Sequence, residues 1–439
     1  MNLKKWFAVP LALAAIAPAF AQRTAPMDFQ GRYLVAVSDA DMLASAYIDG
    51  RLGSREGEDA LSVIPVGQHV SQLQAYETPA SNSVAGPPVA VAVTPDGRYA
   101  LVVETFTQRP EGAAENQTFA DLEQGNRILV IDLQNPTNPR LVQDLAIAER
   151  PDSVSVNFDG SLVAVSFNPN GAGTETPLAL IPFNEGQLGD PVYPPVSSIP
   201  QGERLIHAEW HPTENVLALM NETAAEVSFA RSNNLELEPW GNVIQIEKAP
   251  YMGRFTLDGR HLIVNNLYWG EDVEGRWTEA PKGSINSIRL EAGTQEDGSP
   301  RHALISRSQT GVSPEGIAIS PDGRYVVTTN LERSYLPYDD KRITWYSSLT
   351  LATLDPETGQ LNHVGDYPFD GILPEAAAFD ASGQYLAVVN YDHFDDSIEG
   401  GSIDFWRIGA DPLNPQPQLI KTNYSVPVTR GVHSLVLVK

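Results

Sequence analysis

Cysteine is absent from the 439-residue sequence. Its absence excludes disulfides, thiolate metal ligands, a cysteine nucleophile and the covalent attachment of a c-type haem. The sequence also lacks the serine-hydrolase pattern G-x-S-x-G, the zinc-protease pattern H-E-x-x-H, the P-loop and the glycine pattern of dinucleotide-binding folds. Serine hydrolases of that type, zinc proteases and nucleotide-dependent enzymes are therefore disfavoured.

Basic residues are scarce: 29 Lys and Arg face 55 Asp and Glu, which gives a formal net charge of −26 at pH 7. Such a surface repels phosphate backbones and anionic lipids, so we expect no nucleic-acid partner and no binding to membrane surfaces. After residue 21 no run approaches 18 uninterrupted apolar residues, and we therefore expect no membrane span.

The first residues have the three parts of a secretory signal peptide. Two lysines precede an apolar run over residues 6–20, and an A-x-A pattern follows at residues 19–21. The run is too short and too interrupted by proline for a good membrane span. We predict that residues 1–21 are a cleaved signal peptide, that residues 22–439 form a single domain, and that the protein is periplasmic or secreted.

The remaining sequence repeats a unit of apolar strand, tight turn and apolar strand. Most of the turns contain Asp-Gly or a similar pair, because a tight hairpin needs a residue with positive φ. A second, looser strand pair follows several of these hairpins, and four strands per unit indicate the blades of a β-propeller. The repeated hairpins span residues 89–103, 152–167, 206–220, 251–264, 315–329 and 375–389.

The two ends of the predicted domain complete one further unit. Residues 31–37 match the second half of the repeated hairpin, and residues 432–438 match its first half. Pairing these segments removes the exposed edges that an open array of blades would leave. We therefore predict an all-β fold, a seven-bladed β-propeller whose closing blade is built from both chain termini.

The hairpin at residues 313–330, SPEGIAISPDGRYVVTTN, resembles the repeats of the YVTN-repeat, lactonase-like seven-bladed propellers, and residues 87–103 and 373–390 are similar. As architecture, the resemblance covers the whole of residues 22–439. The superfamily includes 6-phosphogluconolactonase-like enzymes, a muconate-lactonising enzyme, haem d1-binding domains and quinoprotein dehydrogenase heavy chains. The resemblance therefore implies the fold, while the activity has to be argued from the site.

One position per blade is expected at the mouth of the central channel, seven residues before the turn aspartate or its equivalent. Three of the six residues at this position are carboxylates, whereas packing alone would favour small or apolar side chains. His207 lies one position further along its strand, and His433 is roughly equivalent in the closing blade. The six residues are Val89, Asp152, Ile206, Tyr251, Glu315 and Glu375.

Glu315 and Glu375 are the predicted catalytic pair. Two carboxylates at a poorly hydrated mouth do not both ionise easily, so either one keeps its proton or a cation compensates. A proton-holding pair suits general acid–base catalysis, with His207 and His433 as proton relays. A shared Ca²⁺ or Mg²⁺ would instead polarise a carbonyl group. The alternative is a structural role, in which the glutamates accept backbone hydrogen bonds at blade junctions.

Four further residues are predicted to contact the substrate. Arg150 and Arg430 precede inner strands, where a guanidinium group can clamp an anionic group in a bidentate manner or compensate a carboxylate. Asp152 and Tyr251 belong to the ring of channel-mouth positions. For each of the four residues, the alternative is a structural role in packing.

Three loops after second strands, at residues 268–272, 333–342 and 391–396, combine aromatic and acidic residues. Such loops suit sugar faces or other flat polar ligands, and they suit a capped propeller end equally well. Asp392, Asp395 and Asp396 are a loose Ca²⁺ candidate without the spacing of a calcium-binding loop.

The hypothesis from sequence is a periplasmic lactonase-like hydrolase or isomerase for a small polar or sugar-derived ligand. Two alternatives stay open. The first is a non-catalytic propeller that binds or scaffolds a protein partner. The second is a redox subunit resembling dehydrogenase heavy chains, which would carry a coloured cofactor.

Overall fold

The computed structural model describes residues 27–82, 86–276, 279–411 and 414–439. The predicted signal peptide lies outside these residues and stays a prediction. Apart from the short helix α1 (Ala46–Asp49) and the 3-10 turns Val70–Gln72, Phe119–Asp121 and Gly270–Asp272, the regular elements are strands. None of the described residues belongs to a helix that is long and apolar enough to cross a membrane.

The strands in chain order are β1 (Tyr33–Ser38), β2 (Ala60–Pro65), β3 (Tyr76–Pro79), β4 (Val91–Val93), β5 (Tyr99–Phe106), β6 (Gln124–Asp132), β7 (Arg140–Ala146), β8 (Pro151–Val156), β9 (Leu162–Phe167), β10 (Leu178–Asn184), β11 (Gln187–Leu188), β12 (Leu205–Trp210), β13 (Val216–Asn221), β14 (Glu226–Asn233), β15 (Glu236–Pro239), β16 (Ile244–Gln245), β17 (Pro250–Phe255), β18 (His261–Asn266), β19 (Lys282–Thr294), β20 (Pro300–Val312), β21 (Pro314–Ile319), β22 (Tyr325–Asn330), β23 (Ser347–Leu354), β24 (Leu361–Phe369), β25 (Ala377–Phe379), β26 (Tyr385–Asn390), β27 (Gly401–Asp411), β28 (Asn414–Val428) and β29 (Val432–Val438).

These strands form seven antiparallel sheets, which are the seven blades. Blade 1 consists of β29, β1, β2 and β3 from the channel outward. Blades 2 to 7 follow as β4–β7, β8–β11, β12–β15, β17–β20, β21–β24 and β25–β28, and the short β16 adds to β14 of blade 4. The inner strands of neighbouring blades contact each other in turn around the ring, including β25 with β29 and β29 with β4. The predicted seven-bladed propeller is confirmed.

Blade 1 closes the ring by pairing the two ends of the chain. β1 runs antiparallel to β29, with Tyr33 opposite Val438 and Ala36 opposite Leu435. β1 is therefore hydrogen-bonded on both sides, to β29 toward the channel and to β2 on the outer side, so the chain end completes the sheet of blade 1. The predicted closing blade is therefore confirmed, and the head strand begins at Tyr33, two residues later than the sequence indicated.

The core lies between blades, because both faces of each inner hairpin are covered by a neighbour. In β1, Val35 and Val37 pack with residues of blade 2, whereas Leu34 and Ala36 pack with residues of blade 7. All six residues of β1 are buried. This is why second strands such as β1, β9 and β13 are apolar at nearly every position, where a strand with one wet face would alternate.

The Asp-Gly turns follow a common local design. The Asp96 carboxylate accepts a hydrogen bond from the Arg98 N–H at 3.0 Å, and Asp322 accepts one from the Arg324 N–H at 3.1 Å. Between them, Gly97 and Gly323 adopt φ of 71° and 69°, the left-handed region that glycine occupies at little cost. The turn chemistry expected from the sequence is thus present at these hairpins.

Candidate functional site

A cavity of about 540 Å³ lies at the end of the channel where the inner strands begin. Its polar wall brings together residues from five blades, and its apolar side is formed mainly by loop residues. The polar wall consists of Arg150, Arg204, Glu222, Tyr251, Glu315 and Glu375. The apolar side includes Tyr47, Phe106, Phe119, Leu122, Trp269 and Leu373.

Loop aromatics cover the cavity. The Tyr47 ring, from helix α1, lies 6.0 Å from the Phe119 ring and 6.4 Å from the Trp269 ring, measured between ring centroids. Trp269 is in turn stacked on Tyr335 at 4.9 Å. These contacts shield the polar wall from bulk water and strengthen the electrostatic interactions within it.

The two glutamates of the predicted pair both line the cavity. Glu315 is 6% exposed and Glu375 is 3% exposed. Burial raises the pKa of Glu315 to about 8, although a hydrogen bond from Tyr251 opposes this rise in part. Burial also raises the pKa of Glu375 well above its usual range, and the charges of Glu315 and Asp39 add to the effect. Burial in one cavity therefore favours a bound proton on the pair.

A repeated turn directs these side chains toward the channel. In the tripeptides at residues 150–152, 313–315 and 373–375, proline is followed by an acidic residue. The residue before each proline has a positive φ: 57° at Arg150, 52° at Ser313 and 48° at Leu373. A proline disfavours the right-handed helical region in the residue before it, and left-handed non-glycine residues cost about 1–3 kcal/mol each. Strain of this kind is typical of functional sites.

Arg204 joins the cavity although it was not among the predicted residues. Its Nε lies 2.8 Å from Asp152 Oδ2, and its Nη1 lies 3.2 Å from Glu222 Oε2. Asp152 is fully buried, which raises its pKa, while Arg204 opposes that rise. Both Arg150 and Arg204 stand two residues before the channel-mouth position of their blades. Aligning the repeats at that position would have identified Arg204.

Arg150 presents its guanidinium group to the cavity. The group lies over the Phe106 ring, 5.0 Å from the ring centroid. Its buried Nε has no hydrogen-bond partner, and among the described residues Arg150 forms no salt bridge. Burial lowers the pKa of Arg150, and the neighbouring Arg204 charge lowers it further, while Asp152 opposes both effects. An arginine held in this way is suited to an anionic or strongly polarised group of a ligand.

His207 and His433 are fully buried away from the cavity wall. His207 Nδ1 accepts a hydrogen bond from the Gly253 N–H at 3.2 Å, and its Nε2 lies 3.4 Å from Glu209. His433 Nε2 lies 2.8 Å from Asn82 Oδ1, and burial lowers the pKa of His433 to about 3. The structure does not bring either histidine to the glutamate pair, because both rings pack at blade junctions.

Arg430 is also absent from the cavity wall. It is 4% exposed, and its guanidinium group lies 3.0 Å from Glu56 Oε2 and donates to the Ala40 and Ser54 carbonyl oxygens. Arg430 therefore secures the loop between β1 and β2. Of the eight residues predicted from the sequence, the structure brings Glu315, Glu375, Arg150 and Tyr251 to the cavity, with Asp152 behind Arg204.

A separate carboxylate cluster lies beside blade 1. Asp39, Asp41 and Asp59 are fully buried, and their oxygens lie within 4.8 Å of one another. Asp59 accepts backbone hydrogen bonds from Ala40 at 3.1 Å and Asn82 at 3.0 Å. An arginine side chain also contributes: Arg55 Nε lies 3.5 Å from Asp41 Oδ1. All three aspartates lie in the connection between β1 and β2, and the pairing of Ser38 with Ala60 brings the two ends of that connection together.

Residues 281–396 match the family model described as lactonase, 7-bladed beta-propeller. The predicted resemblance to the lactonase-like propellers is confirmed. No curated protein matches the sequence significantly. Solved structures with low sequence identity to this chain share the fold. At such identities the similarity shows the fold and does not show the function.

Three such structures cover nearly the whole chain. The periplasmic gluconolactonase of Pseudomonas aeruginosa is 17% identical, with a TM-score of 0.56 over 92% of this chain and 99% of that one. A candidate 6-phosphogluconolactonase of Bacteroides uniformis is 14% identical, with a TM-score of 0.57 over 93% and 100%. A protein of unknown function from Desulfotomaculum acetoxidans is 12% identical, with a TM-score of 0.58 over 93% and 99%.

Proposed function

We propose that this protein is a periplasmic or secreted lactonase that hydrolyses a small polar or sugar-derived lactone in the channel cavity. The observation that carries the proposal is the pair of buried glutamates, Glu315 and Glu375, in one cavity with the guanidinium groups of Arg150 and Arg204. The similarity to lactonase-like propellers supports the reaction class. The predicted signal peptide supports the location.

Glu315 is the proposed general base. Its carboxylate is the easier of the two to ionise, because the Tyr251 hydroxyl donates a hydrogen bond to it. Once ionised, Glu315 takes a proton from a water molecule as the water oxygen attacks the carbonyl carbon of the lactone. General-base assistance of this kind typically contributes about 10²–10⁴-fold to the rate.

Glu375 is the proposed general acid. When the tetrahedral intermediate collapses, the bond between the carbonyl carbon and the ring oxygen breaks. Glu375 donates its proton to that oxygen, so the leaving group departs as a hydroxyl. The glutamate pair still holds one proton at the end of the reaction, and the new carboxylic acid releases one proton to solvent.

The arginines supply positive charge to this chemistry. Arg204 is held by Asp152 at 2.8 Å and by Glu222 at 3.2 Å, so its position is fixed before the substrate arrives. Arg150 has no such partner among the described side chains and is available to the substrate. Positive charge preorganised near a developing oxyanion lowers the barrier to acyl transfer.

The proposal is tested by assaying the full chain, exported with its own leader, against a panel of five- and six-membered aldonolactones. Acid release is followed with a pH indicator. Glu315→Gln and Glu375→Gln should each lower kcat/KM by about 100-fold or more. Glu104→Gln is the matched control, because Glu104 is 3% exposed and its pKa is also raised by burial, but it does not line the cavity. Equal activity in all four proteins would refute the proposed site.

A further inference from the structure

A second cleft lies on the side of the propeller, where blade 5 meets blade 6, and we call it the aromatic cleft. It encloses about 480 Å³ and shares no lining residue with the channel cavity. A volume of this size lies within the range of roughly 300–1,000 Å³ that is typical of small-molecule sites. The residues that line it include Lys282, Glu332, Trp345, Tyr346, Asp366 and Phe369.

The walls of the aromatic cleft are exposed aromatic rings. Trp345 is 55% exposed and Tyr346 is 43% exposed, which is unusual for such large side chains. The Trp345 ring is nevertheless held in position, because its centroid lies 5.4 Å from that of Tyr338 and 5.3 Å from that of Phe394. A flat apolar surface is therefore presented to solvent in one orientation.

The floor of the cleft is polar and is fixed by internal contacts. Lys282 Nζ lies 2.9 Å from Asp366 Oδ2, and the Thr350 hydroxyl donates to Asp366 Oδ1 at 2.8 Å. The Ser348 hydroxyl donates to Glu332 Oε1 at 2.6 Å. Glu332 has a φ of 54°, so its backbone is held in the left-handed region. Donors and acceptors therefore lie at defined positions beneath the rings.

We propose that the aromatic cleft binds a neutral oligosaccharide. A pyranose ring has an apolar C–H face, which packs on a flat aromatic ring, and hydroxyl groups at its edge, which need both donors and acceptors. Trp345 and Tyr346 supply the flat aromatic surface for the C–H face. Lys282, Glu332 and Asp366 supply the donors and acceptors for the hydroxyl groups.

The charge of the floor selects against anionic ligands. Three carboxylates, those of Glu332, Asp366 and Asp370, line the cleft beside the single ammonium group of Lys282. The sequence as a whole carries a net charge of −26. Phosphates and uronates are repelled by such a site. A neutral saccharide has no charge to desolvate and therefore fits the floor better. This site does not depend on the proposed lactonase activity.

The test is isothermal titration calorimetry of the full-length chain, exported with its own leader, against malto-, cello- and xylo-oligosaccharides of two to six units. An oligogalacturonate of matched length is the charged comparison. We expect at least one neutral series to bind, the oligogalacturonate to bind at least 10-fold more weakly, and Trp345→Ala to weaken neutral binding at least 10-fold. The matched control is Phe158→Ala, because Phe158 is 41% exposed and lies outside the cleft.

Two further measurements separate this proposal from the lactonase proposal. Glu375→Gln should retain wild-type oligosaccharide affinity, since Glu375 lines only the channel cavity. Trp345→Ala should retain wild-type lactone hydrolysis. The cleft proposal is overturned if no neutral oligosaccharide binds the wild-type protein, or if Trp345→Ala binds as tightly as Phe158→Ala. A third outcome would also overturn the proposal. If no saccharide binds, but the wild-type protein binds a protein ligand that Trp345→Ala does not bind, the cleft is a site for a protein partner instead.

Discussion

The Arg204 Nε–H donates to Asp152 Oδ2 at 2.8 Å, and Asp152 is fully buried. Arg150, at the position of the preceding blade equivalent to that of Arg204, lines the same cavity. The propeller repeat therefore delivers two guanidinium groups to one wall, and Asp152 restrains one of them. The Asp152 and Glu222 carboxylates, which both pair with Arg204, therefore offset part of the positive charge that the two guanidinium groups bring to the cavity.

Arg204→Met should destabilise the fold, because it leaves the Asp152 carboxylate buried without its cation. Removing one partner of a buried ion pair costs about 3–5 kcal/mol. The double variant Arg204→Met/Asp152→Asn should recover most of that loss, since no uncompensated charge remains. Urea unfolding at pH 7 measures both. Equal losses in the single and the double variant would contradict the assigned role of the pair.

Glu375→Gln should stabilise the protein at high pH. The unfolded chain ionises its glutamates near pH 4.5, whereas burial keeps Glu375 protonated far above that pH in the folded state. The folded state then binds more protons, so its stability falls as the pH rises above about 4.5. Glutamine removes this penalty. We expect a midpoint of thermal unfolding about 2 °C or more above wild type at pH 8, and little difference at pH 4.5. A variant no more stable than wild type at pH 8 would argue against a protonated Glu375.

His433 should contribute to acid unfolding. Burial lowers its pKa to about 3, so the folded state keeps the ring neutral while the unfolded chain protonates it near pH 6.5. Its stabilising contribution is therefore complete above pH 6.5 and is lost as the pH falls toward 3. Between pH 7 and pH 4, His433→Gln should lose roughly 3 kcal/mol less stability than wild type. Urea unfolding at the two pH values provides the comparison, and parallel losses would show that the ring is accessible to protons.

The fold was predictable because its signals are local. The hairpin turns require a positive φ at Gly97 and Gly323, and the Asp-Gly pairs indicate the positions of these turns in the sequence. The closing blade was predictable because residues 31–37 and Val432–Val438 are complementary halves of one hairpin. Each of these features can be read without knowledge of the contacts between blades.

The site was predictable only in part. The position of Glu315 and Glu375 follows from the repeat, which is why both reach the cavity. The histidines do not reach the cavity. The sequence could not show this, because His433 contacts Asn82, 351 positions away, at a blade junction. Long-range contacts of this kind have no signature in a single sequence.

The most direct test is to titrate the glutamate carboxyl groups by ¹³C NMR in protein labelled at its glutamate side chains. Wild type should show a carboxyl resonance that titrates near pH 8, and this resonance should be missing from Glu315→Gln but present in Glu104→Gln. If every glutamate carboxyl group is ionised by pH 6, the cavity does not hold an acid and a base at neutral pH, and the account of the site is wrong.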